Sequence, residues 1–319
     1  MNMGANTGAN GGTVGTPNAA ASGNRSTFGG GMASGGTAGR TSGVRWWAMG
    51  VLVVATALTL TPLGWLVINA FKTSESITNS LWLPRDESGR VDPSLLTLKN
   101  FQTLLATLGI GRALLNSIFL SSSTALLATL FCAAGGYALA RLDFRGRKLV
   151  TAIVLAAVLV PGPLLLAPGY QLLYSLNLLD SFAGLILPAI APAFGVFLFR
   201  QAVITGVPRE LMESARIDGC GEIRLFASIV LPLVRPMIGT FVMITFLGAW
   251  NNFIGPQIVL QSPEKFPLSV AVAQLRGLYY QDYGLQLAGT LLAIAPVFAI
   301  FVLVQKDFIS GLAAGAVKG

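Results

Sequence analysis

Beyond residue 45, six stretches of this 319-residue chain run without a single charged side chain: 46–71, 113–140, 149–179, 181–199, 236–263 and 283–305. Each can hold the roughly 20 residues that a helix needs to cross a hydrocarbon layer. A backbone surrounded by lipid must satisfy its own N–H and C=O groups, which leaves helices or closed barrels. Strict alternation of apolar and polar residues is absent from these runs, so helices are the reading. The chain is expected to be an all-α polytopic membrane protein with six transmembrane helices. The third run is long enough for a span plus a short external turn around 170–180. Pro62, Pro161, Pro163, Pro168, Pro188, Pro192 and Pro296 fall within the runs and are expected to break several of them, where neighbours re-satisfy the freed carbonyls.

The charge budget agrees: only 11% of residues are charged, against about 25% in an ordinary soluble domain. The chain contains no histidine, which removes the commonest general base and the commonest metal ligand. Its two cysteines, Cys132 in an apolar run and Cys220 in a polar one, make no ligand spacing. No GxxxxGK[ST] sequence occurs, so the chain is not expected to hydrolyse ATP or to bind a cofactor of its own. Residues 1–44 are rich in Gly, Ala, Asn, Ser and Thr and hold no acidic residue. Such a segment buries too little apolar surface to offset its ordering entropy, and a disordered cytoplasmic tail is expected. It does not read as a signal peptide, because the first apolar run starts only at residue 46.

The positive-inside rule orients the runs. With the N-terminus in the cytoplasm, the inner segments carry 14 basic and 6 acidic residues and the outer ones 7 of each. The whole net charge of +8 is then a cytoplasmic-face charge, and no nucleic-acid partner is needed to explain it. Both termini and residues 205–236 are then expected to face the cytoplasm, on the inner side of a cell membrane crossed several times.

Residues 205–236 form a polar connection far longer than a simple turn requires. Pro208 suits a helix start, helix formers follow to Ile217, and Gly219 and Gly221 interrupt them. A second amphipathic run leads to Ile229, and Leu231-Pro232 is expected to open the next span. This reads as a helix–glycine–helix hairpin on the membrane surface. Glu213-Ser214-Ala215, then Gly219 after three residues, Ile229 after nine more, and Leu231-Pro232 after one resemble the EAA loop of permease subunits in ABC importers. Ser214 stands where that family usually has alanine, and Cys220 is a second departure.

Further motifs place the resemblance among carbohydrate-uptake permeases of the MalG type and extend it over 46–319. They are Gly136-Tyr137-Ala138-Leu139-Ala140-Arg141, Leu178-Leu179-Asp180, Gly184-Leu185-Ile186-Leu187-Pro188, Ile217-Asp218-Gly219 and the terminal segment from Gly311 to Gly319. The resemblance implies a domain over 45–319 in which the first hairpin helix is a coupling helix. It would dock on a cytoplasmic ATPase subunit and pass that subunit's closure to the spans. Leu211, Glu213, Ser214, Ala215, Asp218, Gly219, Ile229, Leu231 and Pro232 are the implied coupling residues. The small residues at 214 and 215 suit a close partner, and Leu211 and Ala215 share a helical face. The implied partners are two ATPase subunits carrying ATP and Mg, a second permease subunit, an extracytoplasmic solute-binding protein and the lipid bilayer.

Late in the fifth run lies Gly248-Ala249-Trp250-Asn251-Asn252-Phe253. Amides inside a span usually face the bundle interior or a cavity. The family resemblance puts an acidic residue where this chain has Asn252. Trp250, Asn251, Asn252 and Phe253 are candidates for a neutral permeation path, with the aromatic rings stacking on sugar; interface or helix-bridging roles are the alternative. Asn116, with Ser117, makes a weaker candidate of the same kind. Arg141, Arg145, Arg147 and Lys148 read as a topology anchor facing anionic lipid. Outside, residues 73–111 should form a loop with a short helix near 97–108, and 264–282 an amphipathic helix with Tyr279 and Tyr280 at headgroup level.

The expected function is alternating-access import of a sugar or related neutral polyol or glycoside, driven by ATP on the partner subunits. A permease for glycerol phosphate, a polyamine or a peptide is the first alternative. An ATP-independent secondary transporter is the second, and it would call for ionisable groups inside the spans, which the six runs lack.

Overall fold

The structure, a computed structural model, describes residues 40–316 apart from Glu87, Thr107 and 279–281, with backbone alone for 40–45, 276–278 and 303–316. Residues 1–39 of the expected tail, and Tyr279 and Tyr280, lie outside the described residues. Among the described residues there is no β-strand, and two isolated bridges, Lys72 with Leu96 and Arg85 with Val91, are the extent of extended pairing.

Helix α1 (Arg40–Ala70) starts five residues before the end of the stretch read as a tail. By its internal contacts the chain divides after Thr56; the described residues before that point, from Arg40 on, are the start of α1, where Thr56 Oγ1 donates to the Leu52 carbonyl at 2.7 Å. The rest of the description concerns Ala57–Gly319.

Among the described residues, three helices are long and apolar enough to cross a membrane: Trp46–Ala70 within α1, α4 (Ile110–Arg141), and Tyr283–Val302 within α14 (Tyr283–Ala316). Three helix pairs meet the same criterion only as broken units. The pair α5 (Arg147–Val158) and Gly162–Ser175, which contains α6 (Leu166–Ser175), bends by 104°. Phe182–Ala189, which contains α7 (Phe182–Ile186), and α8 (Ala193–Gly206) bend by 41°. The run between them, α9 (Arg209–Ile217), leads to α10 (Glu222–Leu233), which meets α11 (Arg235–Trp250) at 81°. Counting each pair once gives up to six spans. The third run is thus not a straight span with an external turn at its end. It breaks near 159–161, where Pro161 and Pro163 withdraw two donors and Pro161 itself is extended, with φ -64° and ψ 126°.

Proline does not break every run that contains it. Pro62 and Pro296 sit inside continuous helices. Next to Pro62, the Thr61 hydroxyl donates to the Ala57 carbonyl at 2.7 Å, supplying a bond in the turn where proline removes one. Pro168 lies in the first turn of α6, where a backbone donor has no intrahelical acceptor anyway.

Helix α4 is the central element, rising about 48 Å over its 32 residues. It packs against α8 and α11. Two glycines make that approach possible. A Cβ at Gly136 would lie 2.5 Å from the Arg200 nitrogen and 2.6 Å from the Phe199 Cβ. A Cβ at Gly195 would strike the Phe241 ring and lie 2.6 Å from the Cys132 Sγ. Phe199 and Phe241 then meet edge to face, with ring centres 5.3 Å apart.

Two main clusters of buried residues lie along α4. One gathers Ala128, Cys132, Tyr137 and Ala140 with Phe199, Val203, Met212, Leu225 and Phe241. The other gathers Ile110, Ala113 and Ala125 with Phe246, Trp250, Leu275 and Leu285. Beside the second cluster, α2 (Ser74–Asn79) and α3 (Lys99–Ala106) build the loop after α1, the latter where a short helix is expected. Lys72 is fully buried there; its Nζ donates to the Ser80 carbonyl at 3.0 Å and the Ser80 hydroxyl at 3.2 Å, and burial pushes its pKa down. After α12 (Ile254–Val259) comes α13 (Leu268–Leu278), within the stretch expected to form an amphipathic helix. Leu268, Val270 and Leu275 are buried, and the helix packs on α4 and α14.

Candidate functional site

The hairpin is an extension of the first core cluster. Helix α9 is pinned by Met212, 2% exposed, and by half-buried Ala215. It ends in a tight turn: Gly219 has φ +79°, the left-handed region that favours glycine, and the Cys220 nitrogen donates to the Ala215 carbonyl at 2.9 Å. Helix α10 returns with Leu225 and Val230 fully buried and Ile229 half-buried in the same cluster. Its middle, Phe226–Val230, takes the π form. Leu231-Pro232 therefore falls in the last turn of α10, before the bend, and does not open the following span, which begins at Arg235.

What the hairpin presents outward is Leu211, Glu213, Ser214, Asp218 and the tips Ile217 and Ile223, which are 87% and 86% exposed. Ser214 bonds back to the Glu210 carbonyl at 2.9 Å. Ala215 is small for a different reason from the one read in the sequence: it packs inward on the chain's own core, while Leu211 stays exposed.

A charged network ties the hairpin to α4. The Tyr137 hydroxyl donates to Glu222 Oε2, and Arg216 Nε donates to Glu222 Oε1 at 2.8 Å. Tyr137 also lies against the Phe226 ring, centres 5.4 Å apart. The bond from Arg216 holds the Glu222 carboxyl below the usual carboxylate range and, reciprocally, raises the Arg216 guanidinium. Two arginines read only as a topology anchor finish helices here. Arg141 donates to the Val203, Ile204 and Val207 carbonyls at the end of α8. Arg147 donates to the Leu139, Ala140 and Leu142 carbonyls at the end of α4 and pairs with Asp143 at 2.7 Å. Most of these carbonyls lie in or just past a last helical turn, where backbone donors run out, while that of Val203 also accepts from the Val207 nitrogen at 3.2 Å; a cation near them suits the helix dipole as well. Between α9 and the end of α4 lies a polar cavity of about 170 Å³ lined by Arg141, Asp143, Arg147, Arg209, Glu213 and Arg216.

The proposed path residues separate. Trp250 is 5% exposed, stacks on Phe246 with ring centres 5.7 Å apart, and donates Nε1 to the Ala293 carbonyl at 3.2 Å. It is a core residue. Asn251 bonds locally to the Leu247 carbonyl at 3.0 Å, and Phe253 is 40% exposed. Asn116 is a staple, its Nδ2 donating to the Glu264 carbonyl at 2.8 Å and the Phe266 carbonyl at 3.1 Å. Asn252 lines a cavity of about 290 Å³ between α4, the 185–192 segment and α11. The residues facing it from α4 are Ser117, Leu120, Ser121 and Thr124. Of the polar ones, Ser117 is the weak candidate already read in the sequence, whereas Ser121 and Thr124 were missed, although hydroxyls at 117, 121 and 124 repeat every three to four residues within an apolar run, the spacing of one helix face.

At the cavity end, Asp180 closes the loops. Its carboxylate accepts from the Gln261 and Ser262 nitrogens at 2.9 and 3.0 Å, from the Ser262 hydroxyl at 2.6 Å and from Lys265 Nζ at 2.8 Å. The lysine and these donors hold its pKa far below the usual aspartate value.

An all-helical membrane bundle with broken spans and a core-anchored helix–glycine–helix hairpin defines a transport permease. Residues 125–306 match the family described as the inner membrane component of binding-protein-dependent transport systems, and the chain belongs to it. The resemblance to carbohydrate-uptake permeases is borne out by the relatives. The chain is 40% identical over 229 residues to the arabinooligosaccharides transport system permease protein AraQ of Halalkalibacterium halodurans, covering 72% of this chain and 82% of that one. It is 30% identical over 268 residues to the lactose transport system permease protein LacG of Rhizobium radiobacter, covering 84% and 94%. Its fold is similar to a chain of a bacterial ABC transporter that imports the acidic polysaccharide alginate, at a TM-score of 0.71 and 20% identity, covering 87% of this chain and all of that one. A second alginate transporter structure, in complex with a pentasaccharide-bound periplasmic protein, matches at a TM-score of 0.56 and 16% identity over 83% and 94%. The chain is thus a multi-pass inner-membrane transport component.

Proposed function

We propose that this chain is one of two membrane subunits of an ATP-driven, binding-protein-dependent importer for a sugar or related neutral polyol or glycoside. Six spans would rock between inward- and outward-open states, with both termini and the hairpin in the cytoplasm, as the excess of basic residues in the segments assigned there supports. ATP and Mg would sit on two partner ATPase subunits, and an external binding protein would deliver the solute.

The observation that carries this reading is the build of the hairpin. Its inner face is fixed to the bundle through Met212, Leu225 and the Tyr137–Glu222–Arg216 network, while Leu211, Ser214, Ile217 and Ile223 stand exposed. Exposed apolar tips on a rigid base suit a docking contact that transmits displacement, because a force applied at the tips is borne by α4 without bending the hairpin. The names of the relatives support a carbohydrate substrate. The uncharged lining of the larger cavity is consistent with a neutral one.

The test is Gly219→Val in the whole transporter. A Cβ at Gly219 meets nothing within 4 Å, so any effect comes from φ +79°, where an L-residue is disfavoured by about 1–2 kcal/mol. The variant is expected to insert and assemble, to hydrolyse ATP, and to lose uptake by about tenfold or more, a misplacement effect of the size seen when a positioning element shifts. Uptake at the wild-type rate would sink the coupling role.

A further inference from the structure

We propose that the 290 Å³ cavity between α4 and α11 is a transit subsite for a neutral, hydroxyl-rich ring, with Ser121 and Asn252 as its hydrogen-bonding groups. The inference rests on the reading of the chain as a carbohydrate-importer permease and assigns to this chain a direct contact with the solute.

The first observation is Ser121. It is 1% exposed, lines the cavity, and its Oγ has no hydrogen-bond partner. Hydroxyls in helices normally bond back to a carbonyl three or four residues earlier. Others in this chain do so: Thr129 to Ala125 at 2.7 Å, Thr151 to Arg147 at 2.8 Å, Thr290 to Gln286 at 2.8 Å. Ser121 forgoes that bond at the cavity wall. A buried hydroxyl left unpaired is costly, so the cavity is a place where an outside hydroxyl gains two roles at once, donor and acceptor.

The second observation is the division of labour among neighbouring polar groups. Ser117 Oγ, one turn away, is occupied by the Leu268 nitrogen at 2.7 Å. The Asn252 carbonyl groups are occupied too: the side-chain Oδ1 accepts from the Gly255 nitrogen at 3.2 Å and the backbone oxygen accepts from the Ser269 hydroxyl at 2.8 Å. No partner for the Asn252 amide nitrogen is found among the described residues. The cavity therefore offers the amide donor of the exposed Asn252, just past the end of α11, and the free Ser121 hydroxyl on α4, on a wall with no charged side chain. That set recognises alcohols and excludes nothing by charge repulsion, but it gives an ion no counter-charge.

Size and the missing aromatic set the affinity. A volume near 300 Å³ is at the lower end of small-molecule sites and suits one ring at a time. Trp250 lies in the core, so no large aromatic face clamps the ring. Such a site would hold a sugar briefly and let it pass.

The experiment uses the assembled transporter with its binding protein in proteoliposomes and three labelled probes: arabinotriose, lactose and melibiose. Sugar moved per ATP hydrolysed is measured for wild type, Ser121→Ala, Asn252→Ala and Ser123→Ala, the last not lining the cavity. The ratio is expected to fall about three- to tenfold in Ser121→Ala and in Asn252→Ala, the size of one hydrogen bond, and to hold in Ser123→Ala. An unchanged ratio in both lining variants, or an equal fall in Ser123→Ala, overturns the subsite while leaving the importer reading intact. If wild type moves none of the three probes, the carbohydrate reading fails, and the subsite fails with it.

Discussion

The two ends of α4 are closed by different chemistry. At the hairpin end, Tyr137, Arg141 and Arg147 reach out to Glu222 and to the last carbonyls of α8 and α4 itself. At the other end, α4 itself makes neutral bonds, with Asn116 donating to the Glu264 and Phe266 carbonyls and Ser117 accepting from the Leu268 nitrogen, and the charge sits off the helix, in the Asp180–Lys265 pair of the facing loop. Charge-assisted bonds are roughly twice as strong as neutral ones. The hairpin end also has glycine-mediated contact between α4 and α8, whereas the other end leaves a cavity with an unpaired hydroxyl on its wall. One end is built to move as a piece, and the other keeps room between its helices.

The sharpest way to break this contrast is to add one methyl group at each end. Gly136→Ala forces a Cβ into the α8 backbone and is expected to cost about 1–3 kcal/mol, read as a lower unfolding temperature in detergent. Gly248→Ala faces the cavity with nothing within 4 Å and is expected to be neutral or to stabilise by up to about 1 kcal/mol through helix propensity. Equal losses would erase the difference between the ends.

Tyr137→Phe removes only the hydroxyl that meets Glu222 and should destabilise by about 1.5–3 kcal/mol, the range for a bond to a charged group. A double-mutant cycle with Arg216→Ala would sharpen the point, since residues sharing Glu222 should couple. Strict additivity would mean that the network is not a unit.

The smallest effect belongs to Asp180. Its folded pKa lies below the unfolded value, so its contribution is fully present above the ordinary aspartate range and is lost as pH falls through the folded pKa. Asp180→Asn should therefore flatten the loss of thermal stability between about pH 5 and pH 3 and change little near neutrality beyond the lost lysine pairing. An unaltered acid profile would show that the loop does not depend on this carboxylate.

The hairpin was legible because its information is local: a spacing of helix formers, a glycine that must adopt positive φ, and a return run. The helical class and the membrane were legible from charge-free length alone. Partner choice was not. The sequence around Trp250 marks a polar interruption in an apolar run, but whether the indole meets a cavity or the Ala293 carbonyl depends on α14, some 40 residues away. Proline had the same ambiguity: Pro62 and Pro161 look alike in sequence, and only the second has another proline two residues on and a following turn that leaves the helix axis. Ala215 shows that smallness at one position can serve a contact on either side of a helix.

Arg141 has a consequence in time as well as space. While the chain is being threaded into the bilayer, an arginine at the end of an apolar run is a hydrated cation that resists translocation. Once folded, the same guanidinium is shared among three carbonyls of α8. A positive charge that the positive-inside rule would read at this position is thus partly withdrawn from solvent when the bundle closes. A substitution there would disturb first the direction of insertion and then, in the molecules that inserted correctly, the end of a neighbouring helix.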